Sequence, residues 1–96
     1  MMSAIREIVI PKSVKTIGVD VFYECKSLAN IVFEENSELV DIGNRALGSC
    51  INLHNINLPR SLKTIGEQCF ARSGIKEIIL PNSVVYMGSN AFLDCK

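Results

Sequence analysis

The chain has no tryptophan, one histidine, three prolines and an aromatic content of only 6%. Each shortage closes a line of argument. A zinc site needs several nitrogen or sulfur ligands, yet His54 stands alone and the four cysteines lack C-x-x-C spacing, so no metal constellation can be built and no cofactor is called for. No Gly-x-Ser-x-Gly elbow accompanies that histidine, which leaves a hydrolase without support. Every glycine is single, so no phosphate-cradling loop is present. The sequence thus reads as non-enzymatic.

Charge of one sign is also missing. Ten basic and ten acidic residues cancel, and the longest run of like charge is the pair Glu34-Glu35. A nucleic acid or an anionic membrane would need a concentrated basic footprint, so neither is expected as a partner. No apolar run approaches the ~18 residues of a membrane span, which argues against insertion. The opening Met1-Met-Ser-Ala-Ile-Arg-Glu7 lacks the basic and apolar regions of a secretory leader, so the chain carries no readable address.

What the sequence has is repetition. Ile8, Ile31, Ile56 and Ile78 fall in one column, and Ile10, Phe33, Leu58 and Leu80 in another. Gly18, Gly43, Gly66 and Gly88 form a third, followed by Phe22, Leu47, Phe70 and Phe92, then by Cys25, Cys50, Ser73 and Cys95. Self-similarity at 22 to 25 residues predicts a solenoid. The 96 residues make one domain of four repeats, about 5–27, 28–52, 53–74 and 75–96. Neither end unit carries a polar cap, so the chain reads as a piece of a longer array.

Each unit predicts a short parallel strand, a second short extended piece and one helical turn, an α/β repeat. The Ile5-x-x-Ile8-x-Ile10 alternation gives the strand. Pro11, Pro59 and Pro81 end it, because proline cannot donate to a ladder. Val14 and Ile17 face inward from the second piece, and the glycine that follows offers the backbone freedom of a corner. Val21, Phe22 and Cys25 then have the spacing of one helical face, with Phe22 as a wedge in the core and Val21 in a column of small inward residues with Ala46, Cys69 and Ala91. The second unit carries two extra residues around Glu35–Glu38, expected as a polar bulge on a rim.

The pattern Ile-x-Leu-Pro-x-Ser-Val-x-x-Ile-Gly-x-x-Ala-Phe-x-x-Cys, clearest at Ile78–Cys95, resembles the BspA-like leucine-rich repeat. The likeness covers residues 5 to 96. Leu47 replaces phenylalanine, Ser73 cysteine and Met87 isoleucine. The resemblance implies an extracellular or cell-surface binding module, often in adhesion, whose binding residues the motif does not set.

Four cysteines in such a protein raise the question of disulfides. Cys25 and Cys50 would lie about 5 Å apart on neighbouring rungs, but with parallel side chains, so reduced cysteines packed as small hydrophobes are expected. His54 shares a polar column with Arg6, Ala29 and Lys76 and is expected at the surface.

Function must then rest on a surface. The outward face of the stacked strands forms the concave side of a solenoid, and strand alternation places Glu7, Val9, Asn30, Val32, Asn55, Asn57, Glu77 and Ile79 on it. Two readings follow. One is a module that binds a protein partner through this face. The other is a structural segment that self-associates through uncapped ends, with Val14, Ile17 and Phe22 half uncovered at one end and Val84, Met87 and Phe92 at the other.

Overall fold

The computed structural model describes residues 4–95; residues 1–3, part of the stretch read above for a leader, and residue 96 lie outside the described residues. Strands β1 (Glu7–Ile10), β2 (Thr16–Ile17), β3 (Asn30–Phe33), β4 (Asp41–Ile42), β5 (Thr64–Ile65) and β6 (Tyr86–Met87) follow in chain order. All pairings are parallel. β1 pairs β3, and β2, β4, β5 and β6 form a second sheet in that order. The second sheet therefore runs through all four units, with Ile17, Ile42, Ile65 and Met87 in register. Two-residue strands of this kind cannot persist alone. In the first three units they are held because the apolar member enters the core: Ile17 is 4% exposed, and Ile42 and Ile65 are wholly buried.

The turn between Gly18 and Cys25 is where the expectation of a helical turn fails. No α-helix occurs among the described residues. The i, i+1, i+4 spacing is served instead by successive tight turns, Val21 N–H to Gly18 O, Tyr23 N–H to Asp20 O and Cys25 N–H to Phe22 O. Asp20 and Glu24 have φ of 62° and 59°, and each later unit repeats the pair at Arg45 and Ser49, Gln68 and Arg72, Asn90 and Asp94. A positive φ at the third position of a turn marks type II geometry, and such residues interrupt a right-handed helix. The alternate N–H groups then point across the stack. Phe22 N–H bonds Ala46 O, Leu47 N–H bonds Cys69 O and Phe70 N–H bonds Ala91 O, at 2.8 to 2.9 Å. These bonds tie neighbouring units in place of intrahelical ones.

The glycine column also has a different cause from the one predicted. None of the described glycines has a positive φ. A Cβ on Gly66 would lie 2.5 Å from Asn44 N and 2.6 Å from Gly43 C, and one on Gly88 would lie 2.4 Å from Glu67 N. The corners stack backbone on backbone, and only a residue without a side chain permits that approach.

Between the two sheets and the turns lies one continuous core. Leu39, Leu47, Leu53, Leu62 and Phe70 have no exposure, and Phe70 stacks on Phe92 with ring centroids 5.3 Å apart and planes 7° from parallel. The inward columns are realised in the second and third units, whereas in the fourth Leu80, read as inward with Ile10, Phe33 and Leu58, is 38% exposed. Val21 departs from its column: it is 46% exposed, whereas Ala46 and Cys69 are sealed by the unit before them. The ends also differ from each other. Ile17 and Phe22 are each 4% exposed, so the interior of the first unit is covered, while Met87 is 43% exposed.

The cysteines are free thiols. Cys50 Sγ and Cys95 Sγ each donate to a carbonyl of the preceding unit, Phe22 O and Phe70 O, at 3.1 Å. Burial pushes the Cys50 and Cys69 thiols up to about 12, against weaker opposing effects of nearby backbone groups. They are held neutral and unreactive, because the thiolate is the nucleophile. The two-residue insertion forms the expected polar rim. Glu34, Glu35, Asn36 and Glu38 are exposed, Glu34 accepts the Lys12 N–H at 2.7 Å, and Leu39 resumes the core.

Candidate functional site

The concave face begins as predicted and then changes character. In the first two units, Glu7 lies opposite Asn30 and Val9 opposite Val32, with Val9 and Val32 exposed by 49% and 46%. Alternation turns Ile10 and Ile31 inward, each 6% exposed. The ladder stops at β3. The segments 53–58 and 75–80, predicted as the third and fourth strands of the same sheet, belong to no ladder among the described residues. The sequence contains local reasons. Asn55-Ile56-Asn57-Leu58 replaces the outward Val32 with an asparagine, a poor strand former. The connection Ser73-Gly74-Ile75 is one residue shorter than Cys25–Leu28 and Cys50–Leu53.

Between these two segments the surface opens into a groove of about 380 Å³. Asn55, Asn57, Glu77 and Ile79, half of the predicted surface set, line it. The other four, Glu7, Val9, Asn30 and Val32, sit on the paired strands away from the groove. All eight are exposed. Alternation along the strands had not shown the remaining lining residues: Ile56, Leu58 and Ile78 with Arg60 and Pro81. The one sequence signal for them is the short step before Ile75, which moves the fourth segment relative to the third.

Three further observations place the opening between units three and four on this side alone. Ile79 is 87% exposed, far more than Val9 or Val32 at equivalent positions. Ser61 donates to Leu39 O across units two and three at 2.6 Å, whereas its counterpart Ser83 has a buried hydroxyl with no partner among the described residues. The opposite sides of the same two units remain tied, through β5 with β6 and through Phe70 N–H to Ala91 O at 2.8 Å. The two units are therefore tied through the second sheet and the turns and lack a ladder on the side of the groove.

Elsewhere the polar side chains serve the stack. Arg45 makes a two-pronged bond to Asp20, both contacts 2.8 Å, and its guanidinium lies over the Tyr23 ring at 5.8 Å. Thr64 donates to the Asp41 carboxylate. Asn44 Oδ1 accepts the Glu67 N–H at 2.9 Å. His54 is exposed, as its column predicted, with Nδ1 3.2 Å from Gly74 O.

Solved structures share this architecture. A leucine-rich repeat protein from Bacteroides ovatus superposes with a TM-score of 0.88 at 28% identity, over 97% of this chain and 24% of its own. The Treponema pallidum leucine-rich repeat protein TpLRR gives 0.87 at 39% identity, over 93% and 41%. The pneumococcal vaccine antigen PcpA gives 0.70 at 30% identity, over 93% and 28%. The chain spans 24% to 41% of the length of these proteins. No curated protein sequence matches it. The model for the BspA type leucine rich repeat region matches in six copies across residues 1–96, and the chain belongs to that family.

Proposed function

We propose that this chain is a non-enzymatic protein-interaction module that engages a partner through its concave face, as part of a longer cell-surface or secreted array. The observation that carries the reading is the groove, where Asn55, Asn57, Glu77 and Ile79 converge over an apolar floor. Concave faces are the extended binding surfaces of solenoids, and a mostly apolar cleft with a few polar groups is the usual form of a binding site. A similar structure named as a vaccine antigen supports the surface location. The test is binding to a panel of purified extracellular proteins, with Val32→Glu/Ile79→Glu on the concave face compared with Val19→Glu on the turn side. Loss in the first variant alone supports the reading. Equal loss in both, or retention in both, overturns it.

One observation favours a second reading, end-to-end self-association. Met87 is 43% exposed in a column whose other members are buried to 4% or less, and β6 leaves one strand edge unpaired. Val84→Glu/Met87→Glu should then lower the sedimentation coefficient of a concentrated sample. A wild-type chain that sediments as a monomer at hundreds of micromolar would sink this reading.

A further inference from the structure

The groove has a property that a merely apolar cleft lacks: along both of its walls the side chains alternate, Asn55, Asn57, Glu77 and Ile79 outward and Ile56 and Ile78 inward, as they do along a strand. Among the described residues the only backbone bond between them is Lys76 N–H to His54 O, 3.3 Å, at the amino-terminal mouth. Beyond it, the amides and carbonyls of 55–58 and 77–80 have no main-chain partners. Unpaired strand edges are templates for another strand, and addition of an extended peptide to such an edge is a recurring mode of recognition. The chain supplies its own example, since β1 already lies against the amino-side edge of β3 in parallel register, and 77–80 offers the corresponding edge to the groove.

Charge sets a direction. Chain order puts Glu77 near the amino-terminal mouth and Arg60 at the carboxyl-terminal end, and both line the groove. Arg60 also borders the adjoining depressions on both sides, beside Ser37 and beside Ser83, and forms no ion pair among the described residues. A guanidinium so placed is suited to a carboxylate, which it can grip with two parallel hydrogen bonds. Resting on the concave-face reading, we propose that this groove takes up a partner segment in extended conformation. The segment runs parallel to both walls, is basic at its amino end and acidic at its carboxyl end, and inserts between the third and fourth units as an added strand.

Two synthetic peptides test it: acetyl-Lys-Thr-Ile-Val-Ile-Glu-amide and its charge-swapped form acetyl-Glu-Thr-Ile-Val-Ile-Lys-amide. Amide hydrogen exchange in the free protein should be fast at 55–58 and 77–80 and slow at 8–10 and 31–33. The first peptide should slow exchange at 55–58 and 77–80 and bind about three- to tenfold more tightly than the second, the range two exposed ion pairs provide. Arg60→Glu/Glu77→Lys should invert the preference, and as a surface change it leaves the fold intact. The proposal is overturned if the free protein already protects 55–58 and 77–80, if neither peptide slows their exchange at millimolar concentration, or if the charge reversal leaves the preference unchanged. Protection confined to 7–10 and 30–33 would end the groove proposal while leaving the concave-face reading intact.

Discussion

Truncating Phe70 should cost more than truncating any other side chain in its column, by an amount its surroundings set. The ring has no exposure, and it lies between the unit of Leu47 on one side and Phe92, stacked at 5.3 Å, on the other. Removing a buried phenylalanine to alanine costs about 3–5 kcal/mol through lost transfer energy and the cavity left behind. The stacked partner adds about 0.5–1.5 kcal/mol. Against the roughly 5–15 kcal/mol that holds a domain together, Phe70→Ala should leave a large unfolded fraction in water. Phe92 has the same partner but is only partly buried, so Phe92→Ala should cost about 2 kcal/mol, roughly half the buried value. Phe70→Leu has a built-in precedent, since Leu47 fills the same column with no exposure, and should cost about 1 kcal/mol. Urea unfolding followed by circular dichroism gives all three values. In Phe70→Ala/Phe92→Ala the losses should sum to less than the two singles, because the second truncation removes a stack already broken. If Phe92→Ala costs as much as Phe70→Ala, the two units are not stacked in a line with one more enclosed than the other, and the reasoning fails.

Gly66→Ala drives a methyl to within 2.5 Å of Asn44 N and should destabilise by about 1–3 kcal/mol; Gly18→Ala, whose added carbon meets only Val21 Cγ2 at 3.4 Å, should be close to neutral by the same urea assay. Gln68 holds φ at 53°, so Gln68→Gly should raise stability by about 0.5–1 kcal/mol. Gln68→Val should lower the thermal midpoint, since a branched side chain is least tolerated there. Cys50 and Cys69 are raised by burial from 9.0 to about 12. Above pH 9 the unfolded chain releases these protons while the folded chain keeps them, so their contribution is full below pH 9 and is lost between pH 9 and 12. The slope should approach about 1.4 kcal/mol per pH unit for each thiol. Urea midpoints of wild type and Cys50→Ser/Cys69→Ala across that range should show the wild type losing more.

The array itself was legible because it is written four times. A column of Ile17, Ile42, Ile65 and Met87 at constant offset from a glycine can bury its members together only if the units stack, so the core, the rim insertion at Glu35–Glu38 and the outward position of all eight surface residues follow from spacing alone. The turn at Val19–Cys25 was not legible in the same way. Apolar residues at i, i+1 and i+4 suit a helical turn and a pair of type II turns equally, and what separates them is whether the N–H of Phe22 finds the carbonyl of Gly18, four residues back in its own segment, or Ala46 O of the next unit. Glycine at residue 66 looked like a corner residue because its nearest atoms, Asn44 N and Gly43 C, belong to a different repeat. The groove depended on the same kind of fact. Strand patterning names which side chains of 55–58 and 77–80 face out, but pairing requires two backbones at hydrogen-bonding distance along their length, and that distance is set by the whole stack: the pairing of β5 with β6, the short Ser73–Ile75 connection and the hydroxyl of Ser83 left without a carbonyl. Periodicity is a property of one chain segment repeated, whereas the separation of two segments is decided only when every unit has taken its place.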